Sequence, residues 1–242
     1  VLLLNLTRDQ LHRMHEVKRV ADRWAKSAAS APETLFIGDI DDPFVALALN
    51  SAAQSEKISF GGRKHQDGAV CPSCGKYLKW VRNNYKCACG LSNSNPDQSF
   101  ESGSAAYRNA TMANVVAKFF GAKAIAIDEK SLERSVDQVH KGVKANIRLT
   151  KNPASWSEAL QSVTGQNALL IVNAREVDGI DTSWLWDISF GALSGKRVVV
   201  CGERALDIAY RLHVEGVEAE IATNFAEAIS KFEPGSDVHV LA

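Results

Sequence analysis

The sequence predicts an α/β protein of two domains, with a small cysteine-rich insert in the first. From Asn167 onwards, short apolar runs alternate with segments of helical periodicity, which is typical of a parallel sheet covered by helices. Upstream, the apolar runs in "ETLFIGD" and "KISFGG" flank a helical pattern in the same way. Four of the five cysteines lie within residues 71–90. We place the insert at 68–92 and the domain boundary at 155/156.

The composition argues against two broad classes of protein. The 28 basic and 28 acidic residues give a net charge of zero, which removes the electrostatic argument for a dedicated nucleic-acid-binding protein. No apolar run approaches the ~20 residues that are needed to cross a bilayer. The opening "VLLLNL" is too short for the core of a signal peptide. We therefore expect a cytoplasmic protein.

The first domain begins with a predicted helix over residues 5–28, where apolar side chains recur at three- and four-residue spacing. A strand follows in "ETLFIGD", and then a helix in "DDPFVALALNSAA" with Pro43 in its first turn. "KISFGG" is the next strand. After the insert, the patterns predict helices over 104–120 and 129–140 and a strand over 143–150.

The second domain is predicted as alternating strands and helices. The strands are "ALLIVNA", "RVVVCG", "EAEIA" and "VHVLA". The helices are "TSWLWDISFGAL", "ALDIAYRLHVEG" and "FAEAISKF". Cys201 ends one of the apolar strands, so we expect a buried residue rather than a reactive thiol.

The cysteine spacing is C-x2-C, twelve residues, then C-x-C, formed by Cys71, Cys74, Cys87 and Cys89. Each pair stands beside a glycine, and the intervening "NN" is a plausible hairpin turn. Two such knuckles joined by a hairpin are typical of a zinc ribbon, in which four thiolates leave no coordination position open for catalysis. Redox or disulfide chemistry is the alternative; a reducing cytosol favours a structural Zn²⁺.

Several segments, in order, resemble the Mur ligases, the ATP-dependent enzymes that extend the peptidoglycan stem peptide. "VLLLNLTRDQLHRMHEV" is similar to a strand and helix of their central domain, and "GDIDDP" to the step that follows, with Asp39 where Asn is usual. "AAYRNATMANVVA" and "LTKNPASW" are similar to later segments of that domain. "VDGIDTSWLWD" followed by "VVVCGERALDIAYRLHVEGV" resembles the C-terminal domain of the MurT branch of the family, and so does the ribbon insert.

The resemblance implies a partial Mur ligase central domain over 1–155 and a Rossmann-like C-terminal domain over 156–242. It also implies an activity in peptidoglycan biosynthesis: ATP- and Mg²⁺-dependent amidation of the D-glutamate α-carboxyl of lipid II at the inner face of the membrane. Ammonia would come from a GatD-like glutamine amidotransferase subunit. The family's G-K-T phosphate-binding loop does not occur in the sequence. We therefore expect a fragment that lacks much of its ATP site.

The resemblance also implies roles for individual residues. An aspartate of the C-terminal domain completes the catalytic Cys–His pair of the amidotransferase, and the candidates here are Asp181, then Asp178, with Asp187 less favoured. For each, an ordinary loop or helix-capping aspartate is the alternative. Asn109 stands at the asparagine that contacts the nucleotide, and a polar residue near a helix start is its alternative.

Two further pairs are expected to shape the fold around these sites. Lys151 and Asn152 begin a segment that lies near the interdomain hinge in Mur ligases. Arg204 and Asp207 open the "RALDIAYRL" helix, where they either hold the edge of the sheet or contact substrate or partner.

A binding module of a different class remains as the alternative function. A zinc ribbon on an α/β scaffold, with Trp80 and basic residues around it, would recognise a nucleic acid or a protein without chemistry. A dinucleotide-dependent oxidoreductase is less compatible, because "VVVCGERA" lacks the G-x-G-x-x-G spacing.

Overall fold

The computed structural model describes residues 1–7, 17–65, 68–101, 103–128, 132, 135–173, 175 and 180–242. These residues form two compact units, one holding the described residues up to Leu132 and the other those from Ser135 onwards. Each unit is built on one parallel or mostly parallel sheet with helices, so the predicted α/β class is confirmed.

The first unit is built on a four-stranded parallel sheet in the order β1-β2-β3-β6. Its strands are β1 (Leu2–Leu3), β2 (Phe36–Asp39), β3 (Lys57–Gly61) and β6 (Gln98–Ser99). Its helices are α1 (Val17–Ala29), α2 (Pro43–Ser51) and α3 (Ala105–Phe119).

The predicted start of α2 is confirmed in detail. Pro43 occupies the first turn, where its missing N–H costs nothing, and the Asp42 carboxylate accepts a hydrogen bond from the N–H of Phe44 at 2.8 Å. Gly38 of β2 lets the helix approach closely, because a Cβ there would lie 2.7 Å from Leu49 and 2.8 Å from Val45. The start of α2 that the sequence predicts therefore agrees with the way the helix packs on β2.

The cysteine-rich segment forms a short antiparallel hairpin of β4 (Lys79–Val81) and β5 (Asn84–Lys86). The turn lies one residue earlier than predicted. Asn84 pairs with Val81, and the two turn residues are Arg82, with a φ of 56°, and Asn83. Cys71 and Tyr85 belong to the same apolar core as α2, so the ribbon packs onto the first unit.

The predicted helix over 5–28 is wrong at its beginning. Asn5, Leu6 and Thr7 are not helical, residues 8–16 lie outside the described residues, and the described helix begins at Val17. Leu6 is buried and its N–H donates to the Asp42 carboxylate. This tertiary contact holds the backbone out of a helix, which periodicity alone does not reveal.

The predicted helix over 129–140 is wrong in its second half, because Ser135–His140 forms strand β7. Of the remaining residues only Leu132 is described. Strand β7 pairs antiparallel with β8 (Val143–Arg148) through a two-residue turn, Lys141 and Gly142, whose φ angles are 49° and 81°. Such turns suit the twist of a hairpin and favour glycine. The "KG" dipeptide at residues 141–142 is the feature of the sequence that favours a hairpin here, and the helix prediction overlooked it.

The second unit is built on a six-stranded sheet in the order β11-β10-β9-β12-β8-β7, parallel except for the β7–β8 pair. Its other strands are β9 (Asn167–Ile171), β10 (Arg197–Cys201), β11 (Glu220–Ile221) and β12 (Asp237–Leu241). Its helices are α4 (Pro153–Gln161), α5 (Ala205–Val214) and α6 (Phe225–Ser230).

The central strands of this sheet are buried on both faces. Val198 and Val200 of β10 face a core that contains Trp156 of α4, while Val199 and Cys201 face another that contains Ile229 of α6. A strand covered on both sides needs a continuous apolar run, which is what "RVVVC" provides. The predicted burial of Cys201 is confirmed.

The segment "TSWLWDISFGAL" is not the predicted α-helix. It forms two short 3₁₀ helices, Ser183–Asp187 and Gly191–Leu193, joined by extended backbone. The guanidinium of Arg211 donates to the carbonyl oxygens of Leu185 at 3.2 Å and Ile188 at 2.6 Å. Because these carbonyls are bonded from α5, a continuous helix is not needed to satisfy them.

The compact second unit begins earlier in the chain than the predicted boundary at 155/156. Strand β8 pairs with β12 along its whole length, from Lys144 opposite Asp237 to Arg148 opposite Leu241. The assignment of 1–155 and 156–242 to two family domains stays a prediction. In the described part of the chain, no helix is long and apolar enough to pass through a membrane.

Candidate functional site

Four cysteine sulfurs converge in the ribbon. The Sγ atoms of Cys71, Cys74, Cys87 and Cys89 all lie within 4.8 Å of one another. The Cys71–Cys89 separation is 3.6 Å and the Cys74–Cys87 separation is 3.4 Å. Thiolates about 2.3 Å from one tetrahedral ion lie about 3.8 Å apart. The geometry therefore fits one metal ion held by all four thiols.

Tight turns in the backbone bring the sulfurs together. In the first knuckle the N–H of Gly75 donates to the Cys71 carbonyl at 2.9 Å, and in the second the N–H of Gly90 donates to the Cys87 carbonyl at 3.0 Å. Both glycines have positive φ angles, 74° and 98°. The glycine beside each cysteine pair thus has the conformational role that the sequence suggested.

The protein environment acts on these thiols in opposite directions. Burial raises the pKa of Cys71 to about 12, whereas a hydrogen bond from the backbone N–H of Leu91 is the main cause that lowers the pKa of Cys89 to about 6. Metal ligation requires the thiolate form of each. Binding of a cation at neutral pH would therefore displace a proton from Cys71. At Cys89 the hydrogen bond from Leu91 already favours the thiolate that a cation needs.

A buried carboxylate cluster lies where β2 ends. Asp39, Asp41 and Asp42 are all within 1% of complete burial. Arg108 of α3 forms an ion pair with Asp39, and its Nη2 lies 3.8 Å from Asp41. Burial raises the pKa of Asp41 and of Asp42, because their charged forms lose contact with water.

Asp41 is bonded to the segments on either side of the ribbon. Its carboxylate accepts hydrogen bonds from the N–H of Gly62 at 3.1 Å, from the N–H of Arg63 at 2.6 Å and from the side-chain amide of Asn93 at 2.8 Å. Asn93 follows the ribbon hairpin and is completely buried. The sequence contained no signal for Asn93; the "DIDDP" run was visible, but its contacts were not.

Asn109 lies in α3, half buried, directly after Arg108. The helix begins at Ala105, and the Ser104 hydroxyl caps it by accepting from the N–H of Tyr107 at 3.2 Å. Asn109 therefore lies in the second turn, and the helix does not use it as a cap. Its contact with a nucleotide stays a prediction.

Asp181 is exposed in the loop before the first 3₁₀ helix. Its carboxylate accepts a hydrogen bond from the N–H of Ser183 at 2.8 Å, as expected of a residue that caps a helical turn. Asp178 lies outside the described residues. Asp187 ends the same 3₁₀ helix and is also exposed.

The loop that carries Asp181 is fastened to helix α5. Arg204 donates from Nη2 to the Thr182 hydroxyl at 3.0 Å and forms an ion pair with Asp207 one turn along α5. Asn152, by contrast, accepts from the N–H of Ser155 at 3.0 Å and caps α4 in a reciprocal capping box. Lys151 precedes it at the surface.

Helix α5 also exposes an unusual amount of apolar surface. Ile208 and Leu212 are buried, while Leu206, Tyr210 and Val214 on the opposite face are 73%, 62% and 53% exposed. Trp186 packs edge-on against Tyr210, with 6.3 Å between ring centroids. We call Leu206, Tyr210, Val214 and Trp186 the apolar stripe; patches of this kind commonly mark interaction sites.

Comparison with known proteins shows what the chain is similar to. Residues 149–242 match the family described as MurT ligase C-terminal. The chain is 24% identical to the subunit MurT of lipid II isoglutaminyl synthase (glutamine-hydrolyzing) from Staphylococcus aureus strain COL, over 91% of this chain and 61% of that protein. The corresponding subunit from Streptococcus pneumoniae is 23% identical, over 92% of this chain and 61% of that protein. The chain thus spans about three fifths of the length of these curated relatives.

Solved structures with the same fold include Mur ligases. MurF from Acinetobacter baumannii superposes with a TM-score of 0.57 at 16% identity, covering 99% of this chain and 55% of that one. UDP-N-acetylmuramate-alanine ligase MurC from Thermotoga maritima superposes with a TM-score of 0.51 at 13% identity, covering 100% and 55%. The predicted resemblance of the fold to Mur ligases is confirmed.

Proposed function

We propose that this chain, whose residues 149–242 match the MurT ligase C-terminal family, is part of the ligase subunit of a lipid II isoglutaminyl synthase. The observation that carries the proposal is the similarity to subunits of that name over 91% of the chain, together with the Mur ligase fold. The reaction would be ATP-dependent amidation of the D-glutamate α-carboxyl of lipid II, at the inner face of the membrane.

The chemistry divides naturally between two subunits. A carboxylate is a poor electrophile until ATP phosphorylates it, and the acyl phosphate is then attacked by ammonia to give the amide, ADP and phosphate. Ammonia in water at neutral pH is mostly ammonium, so a glutamine-hydrolysing partner that delivers it directly is an advantage. In this scheme Mg²⁺ accompanies ATP, and Asn109 of α3 contacts the nucleotide.

The ribbon would hold a structural Zn²⁺. A set of four thiolates at tetrahedral spacing suits zinc, and it leaves no position for a water or substrate. Cys71 and Cys87 lie in the apolar core of the first unit. The ion would stabilise the fold there and take no part in the reaction.

Asp181 is our candidate for the residue that completes the partner's catalytic pair. It is exposed, and the bond between Thr182 and Arg204 holds its loop against α5. A carboxylate in that role orients the partner's histidine and stabilises its charged form. Asp178 is the second candidate, on the strength of the same sequence segment.

The apolar stripe is the surface that we propose for the amidotransferase subunit. Trp186 lies five residues from Asp181, and α5, which bears the rest of the stripe, begins next to the residue that bonds Thr182. Exposed aromatic and aliphatic side chains beside a functional residue are typical of an interface centre. Docking there would bring Asp181 to the partner's active site.

The complete protein, mixed with its candidate amidotransferase, lipid II, glutamine, ATP and Mg²⁺, tests the proposal. The expected product is lipid II whose mass has changed by a carboxylate-to-amide conversion, with release of glutamate. A stable, metal-loaded complex that leaves the lipid unchanged would contradict the ligase role. It would support the zinc-ribbon binding module instead.

A further inference from the structure

The cysteine ribbon is joined to helix α3 by a continuous series of polar contacts, which are fully buried at Asn93 and Asp41. The series runs from the hairpin through Asn93 to Asp41, and from Asp41 to Arg108. All of these residues belong to the first unit. A ribbon that served only to fill a loop would not need contacts of this kind.

The first step joins the hairpin to Asn93. The side-chain oxygen of Asn93 accepts from the N–H of Tyr85 at 2.6 Å, and its amide donates to the Asn83 carbonyl at 2.9 Å. Tyr85 lies on β5, two residues before the ligand Cys87, and its hydroxyl donates to the Ile40 carbonyl at 3.0 Å. The backbone that holds the metal ligands therefore also fixes Asn93.

The second step joins Asn93 to the carboxylate cluster. The same Asn93 amide donates to the Asp41 oxygen at 2.8 Å, and that oxygen also accepts from the N–H of Gly62. Asn93 and Asp41 are both fully buried. Loss of a donor at a buried carboxylate is costly, because water cannot replace it without opening the structure.

The third step joins the cluster to α3. One guanidinium, that of Arg108, lies between the Asp39 and Asp41 carboxylates and also stacks on Phe100, with Cζ 4.9 Å from the ring centroid. If Asp41 lost the Asn93 donor, it would compete more strongly with Asp39 for Arg108. The position of Arg108, and with it the adjacent Asn109, therefore depends on the ribbon.

We propose that Asn93 is a positioning residue that couples the occupied metal site to the nucleotide-facing part of α3, through Asp41 and Arg108. The nucleotide part of this inference rests on the proposed function. The structural part does not, because it concerns only how firmly the ribbon holds α3. Metal loss in the ribbon would then loosen α3 and weaken nucleotide binding without removing any residue that touches the nucleotide.

Hydrogen exchange on the complete protein tests the coupling. In the wild type, removal of the ion with a chelator is expected to speed amide exchange in α3 as well as in the ribbon, while β10 in the other unit stays unchanged. Asn93→Ala, with its ion retained, is expected to show exchange in α3 about tenfold faster than wild type. Removal of the ion from that variant is expected to speed amide exchange in its ribbon but to speed exchange in α3 only a little further.

Asn84→Ala is the matched control, because Asn84 is an exposed asparagine of the same hairpin. It should behave as wild type in both exchange and metal content. Should Asn93→Ala fail to fold, Asn93→Asp serves in its place, because it keeps the oxygen that accepts from Tyr85 but removes the amide that donates to Asp41. Metal-loaded Asn93→Ala, or its substitute, with wild-type exchange in α3 would overturn the proposal.

Nucleotide binding gives an independent readout. Titration of Mg²⁺–ATP is expected to show affinity weakened about fivefold or more in metal-loaded Asn93→Ala. Wild-type affinity in that variant would overturn the coupling to the nucleotide. A wild-type protein that binds no nucleotide would refute the proposed function instead, and the exchange experiment would still decide whether Asn93 couples ribbon and helix.

Discussion

The guanidinium of Arg204 donates a hydrogen bond to the hydroxyl of Thr182 at 3.0 Å, and this contact fastens the Asp181 loop to the start of α5. The same arginine pairs with Asp207 along the helix. In its proposed role Asp181 would need such a support, because a misplaced catalytic group loses most of its effect.

Arg204→Ala is therefore expected to lower glutamine hydrolysis by the assembled complex about tenfold, a positioning effect rather than the loss of a catalytic group. The measurement is glutamate release, with amidation driven by added ammonium salt as an internal reference that should not fall. Arg175→Ala removes an arginine whose side chain is 77% exposed and should leave both rates unchanged. Equal losses of both rates in Arg204→Ala would show a general defect of the fold.

The apolar stripe predicts where the partner binds. Leu206→Glu places a charge at a side chain that is 73% exposed in the free chain, so folding should be little affected. At an interface centre the same charge would be desolvated, and we expect affinity for the amidotransferase to fall about tenfold or more. Val139→Glu, at an equally exposed apolar side chain of β7, is the control for binding measured by titration. Undiminished affinity in Leu206→Glu would place the interface elsewhere.

Because the four thiols converge on one position, we expect the chain to bind one metal ion. Cys74→Ser is expected to reduce the metal content to near zero and to lower the melting temperature of the first unit, since Cys71 and Cys87 lie in its core. Cys201→Ala, at a cysteine far along the chain in β10, should keep the full metal content. Elemental analysis beside calorimetry separates the two effects. Full metal content in Cys74→Ser would contradict the four-thiolate site.

Substitution of Gly202 is expected to destabilise the second unit. It has a φ of 103°, and a Cβ there would lie 2.5 Å from the Val172 carbonyl oxygen. Gly202→Ala should lower the free energy of unfolding by about 2 kcal/mol or more, because both strain and a clash with backbone are introduced.

Gly216→Ala is the matched control for that substitution, because Gly216 has a φ of 77° but no atom within 4 Å of the added Cβ. Gly216→Ala should lower the free energy of unfolding by about 1 kcal/mol, because only the positive φ is unfavourable for alanine. Denaturant unfolding of both variants gives the comparison. Equal losses would show that the contact with Val172 is relieved by a shift of the backbone.

The elements that the sequence predicted well are those whose local pattern and tertiary role agree. The strand "RVVVC" is apolar after Arg197 because helices cover both of its faces, and the cysteine spacing predicted the cluster that could hold a metal ion because its four thiols lie close along the chain. In both cases residues that are close together in the sequence are enough to predict the feature.

One failure was a missed local turn signal, and the others arise where distant contacts decide the outcome. Val136 and Val139 stand three residues apart, as in a helix, but the "KG" turn folds them back as an exposed edge strand. "TSWLWDISFGAL" has an apolar pattern suited to a helix, yet Arg211 satisfies its carbonyls from α5. The bond between Asn93 and Asp41 joins residues 52 positions apart, so no local pattern announces it.

The most direct test of the account compares two nitrogen sources in the complete complex carrying Asp181→Asn. With glutamine, amidation of lipid II is expected to fall about a thousandfold or more, because the partner's histidine loses the carboxylate that orients it. With ammonium salt, amidation should equal that of the wild type, since the ligase site is untouched. Asp187→Asn should match the wild type with both sources. Full glutamine-driven amidation by Asp181→Asn would contradict the central claim.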